Sequence, residues 1–173
     1  MSENFFDLIS SRHSVRSFKN DSIPEEKINT ILDAATKAPS GGNLQSYQIF
    51  VVSNPSEKER LVDSAHGQGY IAEAPAVLVF CADPKRSATE YGERGENLFS
   101  IQDATIACAY AQMASHNLGF SSVWIGSFDE EKVSNILNIS NNLKPVAILP
   151  IGIANETPEV TPRRPLEEVT QKI

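Results

Sequence analysis

Residues 98–118 are the longest stretch with helical spacing, and their small and apolar side chains nearly encircle the axis. They include Ile101, Ala104, Ile106, Ala107, Ala109, Tyr110, Ala111, Met113 and Ala114. A helix apolar on most sides must be covered on most sides, by its own domain or by a partner chain. Its alanines let another backbone come close, and Gly119 supplies the C-terminal stop. Ala76–Ala82 is a short, continuously apolar run that suits a strand covered on both faces.

The other elements arrange themselves around these two. Phe5–Ser11 reads as a short helix with Phe5, Leu8 and Ile9 on one face. Ser22-Ile23-Pro24-Glu25 reads as a helix start, with serine as cap and an early proline. Ile28, Ile31, Leu32 and Ala35 continue that helix; Pro39 ends it and Gly41-Gly42 makes the turn. Tyr47–Val52 is a strand, Ser56–Ser64 a surface helix, and Asp83–Asn97 a polar, mobile loop containing some helix. Ser121–Ile125 is a strand, Asp129–Leu137 a helix and Val146–Ile153 a strand. From Ala154 onward the chain has Pro158, Pro162 and Pro165 and no hydrophobic period, so it does not pack as an element of its own domain. The order α, α, β, α, β, α, β, α, β and a tail makes an α/β or α+β layered domain.

With 173 residues, 40% hydrophobic and 21% charged, the chain suffices for one domain over 1–173; it shows no repeat and no linker. A net charge of −7 repels nucleic acid and anionic membrane surfaces. No apolar run approaches the length of a membrane span. The start, Met1–Asp7, lacks a basic region followed by an apolar stretch, so the expectation is a cytoplasmic protein. Cys81 and Cys108 sit in apolar runs, as buried free thiols in a reducing compartment do.

Against that acidic background, clustered arginines suggest a local task. Arg12, Ser14 and Arg16 alternate, so in extended chain they project to one side. Near the other end stand Arg163 and Arg164. Guanidinium groups match phosphate oxygens and keep their charge, so the two clusters suit a phosphate-bearing cofactor; a solvated loop with surface ion pairs is the competing reading. Pro39-Ser40-Gly41-Gly42-Asn43-Leu44-Gln45 offers close backbone approach and two amide side chains that both donate and accept; it also reads as a plain helix-to-strand connection. Trp124–Phe128 ends a strand and precedes a helix, where Gly126 can present a bare amide; a core tryptophan and a turn explain it too. His13, His66 and His116 lack metal-ligand spacing. No phosphate-binding P-loop, dinucleotide fingerprint or nucleophile elbow is present. Glu156, Glu159, Glu167 and Glu168 read as solvated tail charges.

Taken together and in order, these motifs resemble the nitroreductase family of FMN-dependent oxidoreductases. The likeness runs from R-x-S-x-R-x-F (Arg12–Phe18) through A-P-S-x-x-N-x-Q (Ala38–Gln45) and Leu118-Gly119 to W-I-G-x-F (Trp124–Phe128). It continues with Pro150-Ile151-Gly152 and ends with R-R-P-L-E-E (Arg163–Glu168). The resemblance implies an α+β three-layer sandwich, a mostly antiparallel sheet between helices, in an intertwined homodimer. Residues 154–173 then extend over the partner protomer, and two FMN sites lie at the interface.

Carried over position by position, the resemblance assigns Arg12 and Ser14 to the FMN phosphate, joined by Arg163 with Arg164 beside it. His13 lines the same pocket, and Arg16 lies near the pyrimidine edge of the flavin. Pro39, Ser40 and Gly41 form a backbone stretch against the ring, supplied by the other protomer. Asn43 bonds the ribityl chain or ring edge, with Gln45 close by, and the amide of Gly126 faces the reactive ring nitrogen. The implied activity takes hydride from NADH or NADPH and reduces a small organic acceptor in a ping-pong cycle, with no side-chain acid or base required. Reductive dehalogenation, flavin fragmentation and a flavin-binding module without turnover stay open. Three departures stand out: His13 where many members have arginine, Ser46-Tyr47 in place of a proline–tryptophan pair, and an active-site insertion reduced to Asp83–Asn97.

Overall fold

In the computed structural model, residues 4–173 are described; the first three residues of the Met1–Asp7 start lie outside them. The first half of the chain forms α1 (Phe5–Ser11), α2 (Glu25–Thr36), β1 (Tyr47–Val52), α3 (Pro55–Ser64), α4 (Tyr70–Glu73) and β2 (Ala76–Ala82). The second half forms α5 (Pro84–Arg94), α6 (Ser100–Asn117), β3 (Ser121–Ser122), α7 (Glu130–Leu137), β4 (Lys144–Gly152) and α8 (Leu166–Val169). The strands lie in the order β1-β2-β4-β3, each neighbouring pair antiparallel.

The apolar run in β2 sits in the middle of the molecule, with no residue more than 5% exposed. Alternation sends Val77, Val79 and Cys81 to one face, against Leu61 of α3 and Val133 and Ile136 of α7. Leu78 and Phe80 face the other way, onto Ile31 and Ala35 of α2 and Ala107, Cys108 and Ala111 of α6. Each fully buried Leu or Phe contributes about 1.5–3 kcal/mol. The result is the three-layer α+β sandwich with an antiparallel sheet that the motif order implies. Among the described residues, no helix is long and apolar enough to cross a membrane.

Several elements differ from the sequence reading. The strand expected over Ser121–Ile125 pairs with β4 only at its ends, through Ser121–Ser122 and an isolated bridge from Ile125 to Ile148. The register is unbroken, so Val123 faces Pro150. Ile125 and Ile148 exchange both hydrogen bonds, at 2.9 and 3.0 Å. The next such pair, two residues on, is Val123 with Pro150, and proline has no N–H to give. A bulge between Phe80 and Cys81, opposite Pro145, absorbs the other proline of β4. At α2, Pro24 rather than Ser22 occupies the cap position, with no side-chain cap bond.

Asp83–Asn97 is helical over nearly its whole length rather than a mobile loop with some helix in it. Asp83 caps α5 by accepting from the Arg86 N–H, and Pro84 stands at its first turn. α5 kinks at Gly92 (φ 53°) and runs through a π-helical turn, Gly95–Phe99, into α6, which starts two residues later than expected. Gly119 (φ 85°) ends α6 as anticipated: its N–H bonds to His116 O (2.9 Å) and that of Phe120 to Ser115 O (2.9 Å), a Schellman closure.

Both cysteines are free and buried. Burial pushes the Cys81 thiol from 9.0 up to about 12 and raises Cys108 as well. The folded state therefore keeps a proton that the unfolded chain releases, so this contribution is present below pH 9 and lost as pH rises toward 12. Between about pH 8 and about pH 10.5, the urea midpoint of the wild type should fall more than that of Cys81→Ala. Parallel slopes for the two proteins would remove Cys81 as the cause.

Candidate functional site

The first arginine segment is pinned to the sheet at both ends. Beyond α1 the chain runs parallel to β3, with the Val15 N–H on Ser122 O (3.2 Å). It then crosses to the end of β4, where the Lys19 N–H bonds Ile153 O and the Asn155 N–H bonds Ser17 O, both at 2.9 Å. Val15 (3% exposed) and Phe18 (5%) anchor it in the core. Two acids secure its backbone: Glu73 accepts from the Phe18 N–H (3.1 Å), and Glu156 from the Arg16 N–H. Glu156 is exposed, as its sequence context suggests, and also holds the Arg16 backbone. At the same end Gly152 is in tight quarters: a Cβ there would lie 2.8 Å from both the Phe18 ring and Pro75.

This placement leaves Arg12, His13 and Ser14 half-buried and Arg16 exposed. The Arg12 guanidinium is held below its usual pKa, first by burial and second by the positive charge of Arg163. The two ends of the chain thus bring like charges together. Arg164 is engaged elsewhere, its Nε 3.1 Å from the Glu168 carboxylate and its Nη2 on Glu168 O at 2.9 Å. None of the ion pairs among the described residues includes Arg12, Arg16 or Arg163.

The Pro39–Gln45 loop belongs to other elements. Asp103 of α6, 3% exposed, accepts from the Gly41 N–H (2.9 Å) and the Ser46 N–H (3.2 Å). Ser40 Oγ accepts from the Gln45 N–H (3.0 Å), and Gln45 Nε2 donates to Asn43 O (3.1 Å) and Oδ1 (3.2 Å). Gly42, Asn43 and Gln45 all have positive φ. From α5, Arg86 Nε donates to Leu44 O, and the Tyr91 ring lies over Gly42, where a Cβ would meet its hydroxyl at 2.5 Å. Tyr91 in turn packs edge-on against Phe99 (5.1 Å), over which Arg94 sits at 5.3 Å. Pro39, Ser40 and Gly41 border a cleft of about 220 Å³ with Phe99, Asp103 and Ile106.

The third motif is held by the Ile125–Ile148 exchange and by Asp129, which caps α7 through the Lys132 N–H (3.0 Å). Between them Gly126 is exposed and lines a cleft of about 190 Å³ with Ile101 and Phe128. His116 pairs with Ser11 Oγ through Nε2 (2.8 Å), in keeping with a surface role. Within one chain, then, Arg12 and Arg163 come together, Ser14 joins the β3 edge, and the Pro39–Gln45 loop is carried on α5 and α6. Sequence reasoning missed Asp103, Glu73 and the α5 contacts. Asp103 had a visible signal: it is the one Asp, Glu, Lys or Arg in the whole 98–118 stretch.

An antiparallel sandwich in which Arg163 bears on a half-buried Arg12, Ser14 lies beside the β3 edge and an exposed Gly126 follows that strand defines a class of protein able to receive a flat, anionic ligand. The nitroreductase family profile matches residues 9–83 and 67–153, and the chain belongs to that family. It is 29% identical to a Thermus thermophilus NADH dehydrogenase, over 91% of this chain and 90% of that protein. It is 28% identical to a Bacillus subtilis FMN reductase (NADPH), over 96% of this chain and 72% of that protein. Among solved structures, the Vibrio harveyi NADPH:FMN oxidoreductase complexed with NAD+ superposes with a TM-score of 0.90 at 27% identity, covering 98% of this chain and 77% of that one.

Proposed function

We propose that this protein is an FMN-dependent NAD(P)H oxidoreductase that works as a cytoplasmic homodimer and reduces a small organic acceptor such as a nitroaromatic or a quinone. The observation that carries this reading is the Arg12–Arg163 apposition. A half-buried Arg12 held below its usual pKa by burial and by the charge of Arg163 is in an unfavourable arrangement until an anion compensates it. A phosphate monoester is such an anion, and Ser14 adds a hydroxyl donor on the same segment. FMN, when bound, would supply the two-electron chemistry that links a nicotinamide donor to the acceptor.

The protein's part is placement and charge. Arg12, Ser14 and Arg163 hold the phosphate, with His13 lining the pocket and Arg164 at its rim. Arg16 would be the cation that stabilises negative charge on a reduced flavin. Gly126 presents its amide without a side chain in the way, and Pro39, Ser40, Gly41, Asn43 and Gln45 supply the second wall. In the proposed homodimer that wall comes from the partner protomer. The homodimer is supported by what the single chain leaves uncovered. Phe5 is 64% exposed and Tyr110 43%, beside an apolar groove of about 520 Å³ between α1 and α6. In the tail, Leu166 is 71% exposed and Val169 56%. The whole of 1–173 is one domain, and residues 154–173 lie across the neighbour.

The test is spectroscopic. Purified protein is expected to be yellow, to release FMN on denaturation and to bleach when NADH or NADPH is added without oxygen. A preparation that stays colourless after incubation with excess FMN would refute the reading. Turnover with a nitroaromatic, a quinone and a halophenol then distinguishes the acceptor classes, and sedimentation should report two chains per particle.

A further inference from the structure

We propose that Asp103 is a positioning residue for the flavin site, holding the Pro39–Gln45 loop in its ligand-facing conformation from behind. The inference deepens the FMN reading above and rests on it. Asp103 stands in the first turn of α6 as that helix's one Asp, Glu, Lys or Arg, and a buried carboxylate is costly unless its oxygens are satisfied. Asp103 has no cationic partner among the ion pairs of the described residues. Its oxygens instead take the Gly41 N–H and the Ser46 N–H, one near each end of the turn. Ser46 is fully buried, so its amide has no water to fall back on.

What lies between those two bonds explains why a clamp is needed. Asn43 (φ 57°) and Gln45 (φ 50°) are non-glycine residues in the left-handed region, next to Gly42 (φ 56°). Such residues are unfavourable singly and persist only where the surroundings over-determine them, which is characteristic of ligand-holding segments. A connection that merely joined α2 to β1 would not require this backbone. The turn also sets the Gln45 amide against Asn43, and Asp103 lines the same cleft as Pro39, Ser40 and Gly41. Arg86 and Tyr91 hold the turn from the α5 side, so Asp103 supplies the inner of two supports.

The test compares wild type, Asp103→Asn and Asp103→Ala in two measurements: amide hydrogen exchange of the apo protein and FMN titration of the dimer. Asparagine keeps one acceptor and loses the other, so Asp103→Asn should fold even if Asp103→Ala does not. Expected for Asp103→Asn are exchange at Gly41 or Ser46 and an FMN Kd each raised at least about tenfold, the worth of one charge-assisted bond. Exchange at Leu78 and Phe80 of β2 should stay as in wild type. An Asp103→Asn Kd within about twofold of wild type would overturn the inference. So would equal loss of protection in the loop and β2, which is the signature of a merely structural acid. Wild type that binds no FMN overturns the site reading and the inference with it. Wild type that binds, with a variant that binds equally, overturns the inference alone.

Discussion

Arg163→Ala is expected to raise the Kd for FMN about 10- to 100-fold, as loss of one charge-assisted phosphate contact does, while leaving the apo protein no less stable. The two effects separate because Arg163 does opposite things in the two states. Without ligand it is an exposed cation that bears on Arg12 and takes part in none of the ion pairs among the described residues. With a phosphate present it becomes one jaw of a clamp. An ordinary surface arginine would move neither quantity, and a structural one would lower stability. Arg12→Ala should weaken FMN binding comparably and also lower apo stability, since Arg12 is half-buried at the C-cap of α1 and its aliphatic stem covers surface there that alanine would expose. Arg164→Ala should have a smaller effect, because that side chain is already spent on Glu168. Equilibrium titration monitored by flavin fluorescence, with urea unfolding of each apo variant, reads both sides. If Arg163→Ala binds FMN as well as Glu167→Gln does, the anion site lies elsewhere.

Gly152→Ala is expected to destabilise the protein by about 1–3 kcal/mol, the usual range for overpacking, and to weaken FMN binding although Gly152 belongs to no ligand-facing motif. Its added methyl would lie 2.8 Å from both the Phe18 ring and Pro75. Relief requires Phe18 to move, and Phe18 is the core anchor of the segment that carries Arg12, Ser14 and Arg16. Two consequences follow. Phe18→Leu in the same chain should restore part of the lost stability, giving a non-additive double-mutant cycle. Gly67→Ala, at φ 82° but with open space around it, should disturb stability through its backbone and leave FMN binding intact. Additive effects of Gly152→Ala and Phe18→Leu would break the proposed link between the strand end and the arginines.

Much of this site was legible because its motifs are local. The R-x-S-x-R alternation, the glycine turn after Pro39 and the cap at Asp129 each depend on residues a few positions apart, and spacing reports such things directly. Other features were legible but misjudged. Asp83-Pro84 is a good helix start, yet the polar stretch behind it reads as a loop, because the apolar contacts of α5 come from Tyr91 and Phe99 at its far end. Ser121–Ile125 has the composition of a strand; what interrupts its ladder is a proline on a different strand, twenty-seven positions away from Val123. Glu156 reads as an exposed tail charge, which it is, but nothing local shows that it also holds the backbone amide of Arg16.

The chain by itself settled its layers and its family. An encircled apolar helix and a doubly covered strand admit few architectures, and the order of weak motifs selects one of them. Which charges meet was decided only in three dimensions. Arg12 and Arg163 are separated by most of the chain, and so are Arg16 and Glu156; Asp103 stands some sixty positions from the loop it clamps. Hydrophobic pattern is periodic and short-ranged, so sequence carries it. The pairing of polar groups depends on which surfaces burial presses together, and that is fixed once the sheet has closed between its helices.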